Sequence, residues 1–379
     1  MAKLSDIFTL QMGKTPAREK PEYWNDGSND WVSIADLSSF HKYVGKTKET
    51  ITEKAIEETG IKQVPPETVI MSFKLSLGKT AITVRPTFTN EAIMAFIPKR
   101  PDEILTDYIY YFFSGRDWSN GSNRAVMGTT LNKATLSDID IVIPDIEEQK
   151  KVATNLNKID DLINLRHQQL EKLDTLVKSQ FIEMFGDISK EQYQTIKDVC
   201  TIVTDGTHQP PKFVSEGIPF LLVSNIANNE VTYETSKFIT EEAYNELIKR
   251  TPIEVGDILL STVGSYGHPA IVKCDKKFCF QRHIAYLKPN TEIIDSVFLY
   301  ATILSREVQS KIDNLVLGVA QKTLNLSAIR SIEIPVPPME EQKRFCEVFE
   351  QVDKSKFAIQ QGLDKLETLK KSLMQEYFR

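Results

Sequence analysis

The chain is short of positive charge. Its 379 residues carry 46 Lys+Arg against 52 Asp+Glu, a formal charge of -6. An acidic balance argues at first sight against a protein that coats itself in nucleic acid. Segment by segment the balance is -2 for 1–146, -1 for 147–186, -3 for 187–338 and 0 for 339–379, so no part is basic. Cysteine is scarce too: residues 200, 274, 279 and 346 are too few to scaffold a chain this long, which excludes the small disulfide-rich class. No apolar run approaches the 18 or so residues of a membrane span, and Met1-Ala2-Lys3-Leu4-Ser5-Asp6 carries charge where a signal peptide needs its apolar core. A cytoplasmic protein without membrane contact is expected.

The motifs of common chemistries are missing as well. Gly13-Lys14-Thr15, Gly45-Lys46-Thr47 and Gly78-Lys79-Thr80 lack the glycine five residues earlier that a phosphate loop needs to wrap bare backbone around phosphates; Phe8, Phe40 and Phe73 stand there. Pro144-Asp145 followed by Glu148-Gln149-Lys150 mimics the metal-gathering set of many nucleases. Its carboxylate is replaced by Pro338 at the matching place further along, and acids at a helix start are ordinary electrostatics. The Pro-Pro pairs at 65, 210 and 337 do not fit the signature of amino-methyltransferases, and no Gly-x-Gly loop for a methyl donor accompanies them. His268, Cys274, Cys279 and His283 do not have zinc spacing. No catalytic residue and no metal ligand is expected in this chain.

What the chain does have is an internal repeat. Glu147-Glu148-Gln149-Lys150 recurs as Glu340-Glu341-Gln342-Lys343, an offset of 193, and 15 of the 40 positions of 147–186 match 340–379. Thr130-Leu131-Asn132 maps onto Thr323-Leu324-Asn325 at the same offset. Upstream the likeness breaks into pieces: Val69-Ile70-Met71-Ser72 with Ile258-Leu259-Leu260-Ser261, and Val32-Ser33 with Val223-Ser224. The chain therefore divides into 1–146, 147–186, 187–339 and 340–379: two variable globular segments, each followed by a more constant tail.

The tails have a heptad period. Val152, Leu156, Ile159, Ile163, Leu170, Leu173, Val177 and Met184 are spaced by threes and fours, with Arg166 and Gln180 in the gaps. Phe345, Phe349, Val352, Ile359, Leu363, Leu366, Leu373 and Tyr377 repeat it, interrupted by Lys356 and Lys370. The period predicts long coiled-coil helices, each ~57 Å if about 38 residues rise ~1.5 Å apiece, too long for ordinary core helices. The variable segments read as mixed α and β, with short apolar strands between Gly, Pro and Asn turns and buried helices over 107–113 and 296–308.

In equivalent places of the two halves stand polar, glycine-bearing loops: Gly13-Lys14-Thr15-Pro16 with Asp205-Gly206-Thr207-His208-Gln209-Pro210-Pro211-Lys212, 72–79 with 261–268, and Gly128-Thr129-Thr130 with Gly318-Val319-Ala320-Gln321-Lys322. Each alone could be a turn. As a recurring set they suit a ligand approached closely by backbone, with Thr, Gln, Lys and His addressing phosphates and base edges. The candidate contacts are Lys14, Thr15, Lys74, Lys79, Thr129 and Thr130 in the first half, and Thr207, His208, Lys212, Ser265, Tyr266, Gln321 and Lys322 in the second.

Asp205-Gly206-Thr207-His208-Gln209-Pro210, Gly217-Ile218-Pro219-Phe220, Gly256-Asp257-Ile258-Leu259-Leu260-Ser261 and Ile334-Pro335-Val336-Pro337-Pro338 running into Glu340-Glu341-Gln342 together resemble the specificity subunits of type I restriction-modification systems, over essentially the full length. The resemblance implies an α+β fold of two pseudo-repeated mixed α/β target-recognition domains separated by two long helices that form an antiparallel coiled coil. It implies a non-catalytic subunit whose domains each read one half of a bipartite, asymmetric double-stranded DNA site. Glu148, Gln149, Leu156, Ile159, Leu170, Leu173, Glu341, Gln342, Phe349, Val352, Leu363 and Leu366 would then serve the coiled coil and the docking of two modification subunits, with two restriction subunits as a possible addition. S-adenosylmethionine, and ATP with Mg, would belong to those partners and no cofactor to this chain. The acidic balance then means that basic surface comes from the partners. The alternative is a non-catalytic coiled-coil adaptor that binds other proteins and no DNA.

Overall fold

A computed structural model describes residues 2–74, 76–118, 123–125, 128–318 and 322–378, without the side chains of 123–125 and 128–130. The chain forms two compact units, 1–167 with 360–379, and 168–359.

In the first unit the alternating strand Phe8–Met12 pairs antiparallel with Ile93–Pro98, which pairs with Val69–Ser72, and that with Thr80–Ile82. A second sheet joins Glu49–Ile51, Asn29–Val32 and the parallel strand Phe88–Thr89. The second unit repeats this strand for strand. Cys200–Asp205, Ile284–Pro289, Ile258–Ser261 and Pro269–Ile271 form the four-stranded sheet, and Phe238–Ile239, Ile218–Leu221 and Cys279–Phe280 the smaller one. Short ribbons close each unit: Ala2–Lys3 with Asp140–Ile141, and Tyr193–Thr195 with Glu333–Pro335.

The register refines the alignment of the halves. Val69–Ser72 and Ile258–Ser261 do occupy one slot. Val32 pairs with Thr89 as Leu221 pairs with Phe280, so the partner of Val32 is Leu221 and not Val223. The apolar stretch 296–308 is two helices, Ser296–Leu304 and Arg306–Leu315, broken at Ser305, which is extended and caps the second helix by accepting from Val308 N. Its counterpart Thr106–Gly115 is a single helix whose residues 108–113 are all buried.

The two long helices are Ile146–Phe185 and Met339–Tyr377, of 40 and 39 residues. Within each unit the start of one packs against the end of the other, an antiparallel arrangement. In the first unit Asn155 Nδ2 donates to Tyr377 OH (3.2 Å) and Lys370 pairs with Asp160 (2.6 Å). In the second, Lys356 pairs with Asp174 (2.6 Å) and the Phe345 ring meets those of Phe181 and Phe185 at 5.5 and 5.7 Å. Leu156, Ile159, Val352 and Leu363 are buried on the seam, while Leu170, Leu173, Phe349 and Leu366 are half-buried.

Each helix is fastened to that core by a fully buried glutamine. Gln149 Oε1 accepts from Leu105 N (2.8 Å), and its Nε2 donates to the carbonyls of Glu103 and Pro144 (2.9 Å each). Gln342 repeats the pattern with Asp295 N (2.8 Å), Ile293 O (3.1 Å) and Pro337 O (2.8 Å). The amide is the one side chain here that can satisfy two carbonyls and an N–H at once. These two residues hold helix to domain and present no surface to a partner, whereas Glu148 is half-exposed and Glu341 exposed.

Candidate nucleic-acid interface

At the ends of the strands Phe8–Met12 and Cys200–Asp205 the chain passes very close to another backbone. A Cβ on Gly13 would lie 2.1 Å from Thr89 O, and one on Gly206 would lie 2.2 Å from Phe280 O, so only glycine fits. The next residue is pinned in both: Lys14 N donates to Thr89 O (2.8 Å) and Thr207 N to Phe280 O (3.2 Å).

Two more loops join at this corner. Phe73 N donates to Ala92 O and Leu131 N to Phe73 O (3.0 Å each). In the second unit Thr262 N donates to His283 O (3.0 Å), and Leu324 N to Thr262 O (2.8 Å). The middle loop turns identically in the two: Ser72 Oγ accepts from Lys79 N (3.0 Å) and Ser261 Oγ from His268 N (2.9 Å), with Gly78 and Gly267 at φ of 80° and 78°. The described parts of the three pairs of loops singled out in the sequence therefore converge on one end of the larger sheet in each unit.

The candidate side chains differ in how free they are. Lys74, Lys79, Lys212, Ser265 and Lys322 make no ion pair among the described residues, and all but the half-buried Lys74 are exposed. Lys14 Nζ donates to Thr59 O (2.5 Å) and Thr15 Oγ1 to the Glu91 carboxylate. Thr207 Oγ1 donates to Gln209 O (2.8 Å) and Tyr266 OH to Asp313 (2.9 Å), with Lys322 Nζ 5.8 Å from the Tyr266 ring. His208 Nε2 lies 2.9 Å from Asp205 Oδ2. Gln321 falls outside the described residues, and Thr129 and Thr130 are described only as backbone of the strand Gly128–Thr130, which pairs with Asn123–Ala125.

Two groups at this corner were not singled out from sequence. One is Arg250, which bonds Thr204 Oγ1 (3.2 Å) and the nearly buried Asp205 carboxylate. The Asp-Gly pair carried a signal for it, because a buried acid beside a tight turn needs a cation. The other is a fourth loop, Asn90-Glu91-Ala92 in the first unit and Gln281-Arg282-His283 in the second. Asn90 N and Gln281 N donate to the equivalent carbonyls of Val32 and Leu221 (3.0 and 3.1 Å). Arg282 is exposed, and its Nε donates to His283 Nε2 (3.2 Å), which requires a neutral imidazole. Burial, and then the Arg282 charge, hold the His283 pKa below its ordinary value. No glycine or repeated residue marks this loop, so only strand register could locate it.

Asp257, by contrast, is scaffold. It accepts from Glu254 N (2.8 Å), Tyr286 OH (2.7 Å) and Lys288 Nζ (3.3 Å), and burial raises its pKa despite them. Among the described residues no cluster of His, Cys, Asp and Glu could hold a metal ion, and no helix is long and apolar enough to cross a membrane.

A family model, type I restriction modification DNA specificity domain, matches residues 1–175 and again 189–370. The chain is 27% identical over 369 residues to the type I restriction enzyme MjaIX specificity subunit of Methanocaldococcus jannaschii, covering 90% of this chain and 84% of that one. It is 24% identical over 352 residues to the type I restriction enzyme EcoBI specificity subunit of Escherichia coli, covering 83% and 74%. Among solved structures, the type I restriction-modification system S subunit from M. genitalium matches with TM-score 0.55 at 14% identity, over 100% of this chain and 95% of that one. A chain from a type I R-M system, solved to describe its assembly and conformational transition, matches with TM-score 0.61 at 17% identity, over 100% and 97%. At those identities the structures speak to the shared fold.

Proposed function

The chain belongs to the type I restriction-modification DNA specificity family, and from that membership we infer that it is the sequence-specificity subunit of a type I complex. The target-recognition domain 1–146 reads one half of a bipartite asymmetric site in double-stranded DNA, and 187–339 reads the other. The spacer helices 147–186 and 340–379 set the separation and dock two modification subunits; restriction subunits can join these. The chain selects the site and does no chemistry, while methyl transfer from S-adenosylmethionine, and any ATP-driven cleavage with Mg, are carried out by the partners. The complex acts in the cytoplasm on cellular and incoming DNA.

The observation that carries this reading is duplication with divergence. The family match spans both halves, and the same backbone corner gathers the same loops in each unit with different side chains on them. Helices of 40 and 39 residues, about 60 Å long, suit a ruler between half-sites one or two turns apart, a turn being ~34 Å. Leu162, Leu165, Leu176, Ile182, Phe357 and Leu369 stand exposed on these helices, which favours partner subunits covering them. With no basic segment, the isolated chain should hold DNA weakly.

Methylome sequencing of cells that carry this chain with its modification partner tests the reading. The expected outcome is one methylated motif of two unlike halves around an unspecified spacer. Electrophoretic shift with the chain alone and with modification subunits added separates a DNA reader from an adaptor: an adaptor would confer no sequence-dependent binding in either mixture.

A further inference from the structure

The fourth loop gives the two domains chemically opposite residues in one backbone slot. Phe8–Met12 pairs with the strand from Ile93 as Cys200–Asp205 pairs with the strand from Ile284, Met12 opposite Met94 and Asp205 opposite Ala285. Counting back from those pairs, Glu91 corresponds to Arg282 and Ala92 to His283. The hydrogen bonds agree: Ala92 O and His283 O accept from Phe73 N and Thr262 N, and Asn90 O and Gln281 O accept from Ile93 N and Ile284 N.

Both side chains are exposed where the other three loops meet. Neither makes an ion pair among the described residues. The Arg282 backbone is held by its N–H on Thr207 O (3.1 Å). With Nε on His283, the guanidinium keeps both terminal NH2 groups available. Glu91 is steadied from one side only: one carboxylate oxygen accepts the Thr15 hydroxyl, and the other, Oε1, is without a partner among the described residues. A guanidinium with two free NH2 groups matches guanine O6 and N7, and a carboxylate oxygen matches the N4 amino group of cytosine. A carboxylate repels phosphate, so a phosphate-anchoring role is closed to position 91.

We propose that residues 91 and 282 are one specificity-determining position in two copies, Arg282 reading a guanine in one half-site and Glu91 a cytosine in the other, with Thr15 as the positioning residue for Glu91. This rests on the function proposed above. It adds which loop discriminates and which base each copy selects.

The test uses the full chain assembled with its modification subunits, sequencing the methylated motif and measuring affinity against salt. Arg282→Lys keeps the charge and loses the two-pronged geometry. It should relax one guanine position in a single half-site, by about 10- to 100-fold in preference, with little change in salt dependence. Glu91→Gln should relax one cytosine position in the other half-site. Thr15→Val should weaken that same cytosine preference and leave the guanine position unchanged. Both specificity residues are exposed, so assembly should match that of the unaltered chain; a variant that fails to assemble is replaced by Arg282→Gln or Glu91→Asp, read in the same way. If Arg282→Lys leaves the motif unaltered, or if affinity falls equally for all sequences, or if either variant alters the wrong half, the inference is overturned. An unaltered complex that yields no bipartite motif would instead overturn the function on which it rests.

Discussion

The two recognition domains share their backbone corner and differ in what holds it. In the first, a cation from the loop reaches a helix end: Lys14 Nζ bonds Thr59 O, the last carbonyl of the helix Glu53–Thr59. In the second, the cation comes from just beyond the equivalent helix Glu241–Leu247, and Arg250 reaches back to Asp205 on the strand. Met12, exposed, stands where Asp205 is buried. A loop-to-helix tether has been kept while its direction reversed. The backbone geometry is therefore the retained property, and side chains around it have been free to diverge. That is what two readers of unlike half-sites need.

If the scaffold is common, equivalent changes should cost according to local packing. The largest difference is expected at the helix seam. Phe345 and Val152 are equivalent and both buried, but Phe345 touches the rings of Phe181, Phe185, Phe298 and Phe349. Phe345→Ala should destabilise the second unit by ~3–5 kcal/mol, and Val152→Ala the first by only about 1.5 kcal/mol. Hydrogen exchange read separately on the amides of each unit measures both; equal losses would refute the idea that the second unit leans harder on its helix.

The glutamines give the converse expectation. Gln149→Ala and Gln342→Ala each strand two carbonyls and an N–H, and each should cost ~2–4 kcal/mol in its own unit. A large disparity between them would break the equivalence of the two junctions. Smaller again, Asp205→Ala leaves Arg250 and His208 without their shared acceptor. Both side chains are about half exposed and screened by water, so the loss should be about 1 kcal/mol. Met12→Ala, at the same slot, should be near neutral.

Much of this was legible in the sequence, and the reason differs from place to place. The helices were readable because a 3.5-residue period survives five heptads, and the halves were readable because the Glu-Glu-Gln junction recurs without a gap. Three of the four loops carried glycines at close approaches or tight turns, a requirement that composition reveals. The fourth carries none. Its place is set by strand pairing between residues far apart in sequence, and Glu91 and Arg282 share no chemistry by which one could find the other. The roles of Gln149 and Gln342 were hidden for a related reason: an amide at a helix start is ordinarily solvated, and only the three-dimensional junction buries it. The shifted match of Val32 came from two-residue likeness, which register overrules.

The smallest effect separates the domains by pH. His283 is half-buried beside Arg282, and its folded-state pKa lies below the unfolded value near 6.5, whereas its counterpart Ala92 cannot titrate. A histidine with a depressed folded pKa binds fewer protons folded than unfolded. Its contribution to stability is therefore full above pH 6.5 and is lost as pH falls through that value toward the depressed one. Protonation also removes the Nε2 lone pair that accepts from Arg282 and places a second positive charge beside the guanidinium. Between pH 7.5 and 5.5 the second unit should lose protection around 262 and 283, and His283→Asn should flatten that slope. The first unit's equivalent amides, around 73 and 92, should show no such His283-linked step. A step of the same size at both corners, or one that persists in His283→Asn, would mean that this histidine is not its source.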